Sequence, residues 1–180
     1  MMKFLFAILA VFLIIAPSRA IEPVSLSPSL QARLVTQPSL VADKLTDGDL
    51  KDRVVLVSFF ASWCPPCHEE FRHLNALHDE FGGKGLRIVA INRFEDYAGT
   101  RDGGARLARF LSDHAPRFSV IRGNDAIGAA FEDVRRIPTV YIFDRTGKKR
   151  FHFIHVEGAT KMNPSLAELR AVLTALLGAS

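Results

Sequence analysis

A chain of 180 residues, 48% of them hydrophobic, with a formal net charge of +4, has material for one domain with a real core and is short for two. Its bases form no tract, so the modest positive excess gives no ground for a nucleic-acid partner. The only two cysteines, Cys64 and Cys67, exclude a disulfide-braced scaffold, because a bridge between them closes almost no loop; the pair is there for reactivity.

Lys3, an uncharged run from Phe4 to Ala16 and the small-x-small ending Ser18-Arg19-Ala20 read as an export signal, with cleavage expected after Ala20. The apolar run of about 13 residues falls short of the roughly 20 that span a bilayer, although an uncleaved segment would still hold the protein at a membrane. Both outcomes place the remainder in the periplasm or another extracytoplasmic compartment. Loss of Lys3 and Arg19 lowers the charge from +4 to about +2.

Residues 21–40, with Pro23, Pro28 and Pro38 among serines, read as an irregular lead-in holding one short strand near Leu34 to Thr36. LTDGDLKD reads as a turn or short helical excursion. RVVLVSFF is the continuous apolar run of a strand buried on both faces, and LRIVAIN, from Leu86, is a second. A helix from about Pro66 to Phe81, ended by Gly82-Gly83, separates them, which makes a parallel strand-helix-strand unit. Residues 93–104 are polar and glycine-rich, a loop. ARLARFLSDHA is then an amphipathic helix with Leu107, Phe110 and Leu111 on one side. A strand FSVIR, a helical turn around Ala126 to Phe131 and a strand in IPTVYIF follow. Asp144-Arg145-Thr146-Gly147 turns the chain back so that TVYIF pairs antiparallel with KRFHFIHV. Asn163-Pro164 is expected to cap a last helix with Leu166, Leu169, Val172, Leu173 and Leu176 on its apolar side. The whole is an α/β domain, a central mixed sheet flanked by helices.

The motif SWCPPCH admits two chemistries, a dithiol redox centre and the C-x-x-C-H attachment signature of a c-type haem. A strand feeding directly into a helix sets the residues between them at the carboxyl edge of the sheet, where open α/β folds carry their sites. Cys64 then lies at a helix N-terminus, where the macrodipole and free amides lower a thiol's pKa, and is the expected nucleophile; Cys67, one turn on, is the resolving thiol. Pro65 and Pro66 adjust this: Pro66 has no N–H, so Cys67 is left as the main amide donor, and the less stabilised thiolate favours a reductant. At about 100° per residue, Cys67 and Glu70 share a stripe with Phe71, Leu74, Leu77 and Phe81. His68 points with Arg72, Asn75 and Asp79 toward solvent, and Met162 is the one methionine left after processing to serve as a second axial ligand, so the dithiol is favoured over haem. Glu70 on the core stripe is expected to exchange protons with the thiols near neutrality. A different class of function is a soft-metal, Cu(I), carrier using both thiolates with His152 or His155 as added ligands. His73, His78 and His114 are expected on helix faces without a role.

VVLVSFFASWCPPCHEE and RRIPTVYIFDRTGKK together resemble the exported thioredoxin-like disulfide reductases of the TlpA and ResA type, a group that includes the reductases of cytochrome c maturation. The likeness is best over residues 53–71 and 134–148 and looser over about 40–178, so a thioredoxin-like domain is expected at 41–178, after the signal at 1–20 and the lead-in at 21–40. It implies that Pro138 is cis beside the C-x-x-C, that the Ile137 backbone pairs with substrate, that Trp63 flanks the nucleophile and that Glu70 sits near the thiols. With the dithiol reading, no cofactor and no metal are expected. The expected partners are client proteins with cysteine pairs or disulfides, an apocytochrome c among them, and a membrane thiol electron donor. Two departures stand out: Ser58 occupies the position of the buried aspartate of thioredoxins themselves, and Arg72 replaces a helix-kinking proline.

Overall fold

Residues 53–60 carry seven consecutive apolar or small side chains on a strand, and such a run is stable only where both faces are covered. The computed structural model, which describes residues 23–42, 44–98, 102 and 104–178, covers both. Its elements in chain order are α1 (Pro28–Val35), α2 (Asp47–Leu50), β1 (Val54–Phe60), α3 (Pro65–Phe81), β2 (Leu86–Asn92), α4 (Ala105–His114), β3 (Ser119–Arg122), α5 (Asp125–Ala130), β4 (Thr139–Phe143), β5 (Lys149–Ile154) and α6 (Leu166–Leu177). Short 3-10 turns follow α3 at Gly82–Lys84 and β2 at Glu95–Ala98.

The five strands lie in the order β3-β2-β1-β4-β5, parallel across β1, β2 and β3 and antiparallel from β1 to β4 and from β4 to β5. Every residue of β1 is buried. Adjacent side chains of a strand point to opposite faces, and Phe59 and Phe60 show it. Phe60 meets Phe71 of α3 and Phe110 of α4, with ring centroids 4.5 and 5.3 Å away. Phe59 meets Phe131, just beyond α5, and Tyr141 of β4, at 5.2 and 6.4 Å. The core is thus two aromatic clusters with the sheet between them.

The β4–β5 hairpin forms as expected. Asp144 accepts from the amides of Thr146 and Lys148 at 2.9 and 3.1 Å, and Gly147 takes φ 79°. A Cβ at Gly147 would lie 2.7 Å from the Leu26 carbonyl, so both the turn and the close approach demand glycine.

Three expectations are corrected. The lead-in is not irregular over its whole length: residues 28–35 form α1, and no strand forms at Leu34 to Thr36. Ser27 accepts from the Leu30 amide at 3.3 Å, Pro28 supplies a preset φ in the first turn, and Leu30 and Leu34, four apart, both enter the core. Pairing with the sheet comes slightly later, where Leu40 donates to Val120 and Arg122 to Pro38 along the outer edge of β3. The last helix is capped by Ser165, not Asn163-Pro164: Ser165 and Glu168 bond reciprocally at 3.2 and 3.0 Å, a capping box. Its buried positions are Leu169, Leu173 and Leu177. The expected signal lies outside the described residues.

Candidate active site

The register determines what meets at one edge of the sheet. β1 and β2 are parallel, so the residues after Phe60 and after Asn92 emerge side by side, and Arg93 donates to the Phe60 carbonyl at 2.8 Å. β4 runs the other way, with Thr139 opposite Phe59, which brings Pro138 to the same edge. β5 returns there, and the His155 amide donates to the Pro138 carbonyl at 3.0 Å. Four chain segments therefore converge where open sheets hold ligands.

Cys64 is the N-cap of α3, with Pro65 and Pro66 in its first turn, so the helix begins one residue earlier than expected. Cys64 and Cys67 are joined by a disulfide. Their exposure differs in a way that assigns roles: Cys64 is 3% exposed and lines an open groove of about 560 Å³, whereas Cys67 is wholly buried behind it. The Cys67 amide, expected to serve the Cys64 thiolate, has a backbone partner while the two cysteines are joined. That amide donates to the Cys64 backbone carbonyl at 3.0 Å, and the Cys64 side chain takes no capping bond.

Glu70 is 1% exposed, on the core side of α3 as its phase requires. Ser58, on the same face of β1 as Phe60, donates its hydroxyl to Glu70 Oε1. Glu70 Oε2 is buried without a hydrogen-bond partner among the described residues. Burial pushes the Glu70 carboxyl up to about 7, and the Ser58 hydroxyl offsets part of that rise.

The Ile137–Pro138 peptide is cis, and Ile137 lines the groove across from Trp63 and Cys64. Trp63 is half-buried, its indole N–H donating to the Phe94 carbonyl at 2.7 Å. Pro65 is exposed, and both prolines border the groove.

His68 does not face solvent. It is partly buried, with Nδ1 2.9 Å from His114 Nε2 and Nε2 3.2 Å from the Ser62 carbonyl. The single-helix phase is right, but α4 covers that side of α3, and only Arg72 and Asp79 of the expected solvent group stay exposed. Both ring nitrogens of His68 are engaged and β1 is packed beneath the motif, so the motif offers neither a free axial ligand nor a haem pocket. His114 is likewise no bystander: burial, then neighbouring His68 and Arg72, lower its pKa. Of the added metal ligands, His155 lines the groove, while His152 stacks on Tyr141 at 4.4 Å. Among the described residues no three histidine, cysteine or acidic side chains are placed so that they could hold a metal ion.

Residues 93–104 are expected only as a polar, glycine-rich loop. Instead Glu95 accepts from the Ser62 amide and hydroxyl at 2.7 and 2.6 Å and from Asn92, pinning the segment leading to Cys64. Arg93 reaches across to the Val134 carbonyl at 3.0 Å and Asp125 at 2.7 Å, bracing the loop before Ile137. The available signal was topological: whatever follows the second of two parallel strands must lie beside whatever follows the first.

A disulfide at the start of the helix leaving a central strand, opposite a cis-proline that opens the neighbouring antiparallel strand, defines a thioredoxin-like dithiol protein. Residues 30–152 match the AhpC/TSA family, and the chain belongs to that family. It is 28% identical over 140 residues to the thioredoxin-like protein YneN of Bacillus subtilis, a match covering 78% of each chain. Against the thiol-disulfide oxidoreductase ResA of Bacillus thuringiensis it is 28% identical over 111 residues, spanning 61% of this chain but only 59% of ResA. Solved structures show the same fold. A secreted Mycobacterium tuberculosis disulfide oxidoreductase homologous to E. coli DsbE superposes with a TM-score of 0.61 at 20% identity, covering 81% of this chain and 98% of that one. A thiol-disulfide isomerase from Corynebacterium glutamicum gives 0.62 at 18% identity, covering 80% and 93%.

Proposed function

We propose that this protein is an extracytoplasmic thiol-disulfide oxidoreductase that works as a reductant of protein disulfides. The observation carrying this reading is the asymmetric pair, Cys64 at the groove and Cys67 sealed behind it, at a helix N-terminus. In the reduced protein the Cys64 thiolate attacks one sulfur of a client disulfide, expelling the other as a thiolate and leaving a mixed disulfide. Glu70, with a pKa near neutrality, takes the Cys67 proton. The Cys67 thiolate then attacks Cys64, the second client thiol leaves, and the protein is left with the Cys64–Cys67 disulfide that the structure holds. Two electrons have passed to the client, and a dithiol donor must return them.

The reducing direction is supported by what the nucleophile lacks. Pro66, in the first turn of α3, has no amide to offer the Cys64 sulfur, so the helix start holds one donor fewer for a thiolate there. A couple near −270 mV rather than near −120 mV is expected. Export is supported by the uncharged run after Lys3 and by the secreted M. tuberculosis neighbour; no helix among the described residues is long and apolar enough to cross a membrane. The likeness to ResA and DsbE proteins supports clients with cysteine pairs, an apocytochrome c being one, and a membrane thiol donor.

The test is dithiol-driven reduction of a protein disulfide. Cys64→Ser should abolish it, and Cys67→Ser should accumulate the mixed disulfide. Full activity in Cys64→Ser would end this reading.

A further inference from the structure

The segment just beyond β2 is shaped beyond what bracing the motif requires. Phe94 holds a left-handed backbone, φ 64°, which a phenylalanine adopts only when its surroundings impose it. Here the Phe94 carbonyl accepts from the Trp63 indole at 2.7 Å and from the Tyr97 amide at 3.1 Å, while the Arg93 guanidinium lies 4.5 Å over the Phe94 ring. These contacts present Tyr97. Its ring stacks on Trp63, centroids 5.6 Å apart and planes 25° apart, yet it stays 81% exposed. A tyrosine placed only to pack would turn its faces inward.

The surroundings indicate the occupant. The exposed large hydrophobic side chains among the described residues are Tyr97, Ile154, Val156 and Met162; Tyr97 and Met162 line the Cys64 groove, and the other two adjoin its lining residue His155. Apolar surface concentrated at one place marks a binding face. A stacked aromatic pair also attracts cations. Against that, Arg135 and Arg136 stand on the facing wall, and although Arg135 is held by Asp133 at 2.6 Å, Arg136 has no carboxylate partner among the described residues. Glu157 is the one acidic residue among those lining the groove.

We propose that Tyr97, stacked on Trp63 and flanked by Phe94 and Met162, forms a specificity subsite for a large apolar, preferably aromatic, side chain next to the reacting cysteine of a client polypeptide. The inference rests on the proposed thiol-disulfide exchange at Cys64 and adds to it the kind of segment that is exchanged.

The test uses three synthetic peptides, each carrying one cysteine as a mixed disulfide with glutathione and differing only in its neighbour: Phe, Ser or Lys. The second-order rate constant of the reduced protein with each is measured. The Phe peptide should react about fivefold faster than the Ser peptide, the scale of one aromatic contact, and the Lys peptide no faster than the Ser peptide. Tyr97→Ala should bring the Phe-to-Ser ratio close to one, and Tyr97→Phe should keep it. An unchanged ratio in Tyr97→Ala, equal rates with all three peptides in the wild type, or preference for Lys would each overturn the subsite. Loss of the exchange reading is a separate outcome, since it would show as reaction of Cys64→Ser with the Ser peptide.

Discussion

Glu70 and Ser58 form a buried pair in which the hydroxyl counters part of what burial does to the carboxyl. Burial raises the carboxyl, and the Ser58 hydroxyl offsets part of that rise to leave it at about 7, where a carboxyl can both take and return a proton. Thioredoxins themselves carry an acid on the strand; here the acid is on the helix and the strand supplies its hydrogen bond. Glu70→Gln keeps the shape and removes the acceptor, so resolution of the mixed disulfide at pH 7 should slow by roughly a hundredfold, followed by stopped-flow quenching of the protein. Ser58→Ala removes a donor that favours the charged form. The pH midpoint of that same step should then move upward, by roughly one pH unit if the bond is worth what bonds to charged groups usually are. A midpoint that stays in place would mean that Glu70 does not set the pH dependence of the step.

The elements that the amino-acid pattern announced are those whose burial is local in cause. β1 and α3 were legible because an unbroken apolar run and a 3.6-residue stripe each state their own environment, and the motif between them inherits its place from the two. What stayed hidden depended on a neighbour. The side of α3 bearing His68 looks polar in sequence, and only the packing of α4 buries it. Arg93 and Glu95 are polar because they brace the loops on either side of the groove, so their polarity marked partners within the fold. α1 was masked by its own signals, since Ser27-Pro28 in a proline-rich stretch reads as a breaker although it is also a cap and first turn. These elements can be tested singly. Leu34→Ala should cost about 2–5 kcal/mol in denaturant unfolding if α1 is part of the core, and next to nothing if the lead-in hangs free. Glu95→Gln removes the charge and one of the two acceptor oxygens that serve Ser62 and Asn92. A loss of about 1–2 kcal/mol is expected, with faster proteolysis near Trp63.

At the scale of the whole molecule, the proton held by Glu70 ties stability to pH in a direction opposite to that of the carboxylates that folding acidifies. Asp49, Glu132, Asp144 and Glu168 gain partners on folding and hold their carboxyls below the usual range, Glu168 at about 2 through Lys161 and Ser165. Their contribution is complete above the unfolded carboxylate range and is lost only as pH falls through their folded values, so above about pH 5 they add no slope. Glu70 is raised from 4.5 to about 7, so between those values the folded protein binds the extra proton, and stability must decline as pH rises. Carried across the full interval, that decline amounts to about 3 kcal/mol, at about 1.4 kcal/mol per pH unit. His114 and His152, both lowered chiefly by burial, work the other way near neutrality, because the unfolded chain takes up their protons first. Wild-type data alone would therefore mix opposing slopes. Subtracting the Glu70→Gln variant removes the histidines and leaves the glutamate. In urea unfolding of the oxidised protein, the variant should gain on the wild type by about 2–3 kcal/mol between pH 5 and pH 8. If the two curves run parallel over that range, the carboxyl is not held neutral by burial, and the proton relay assigned to it loses its physical basis.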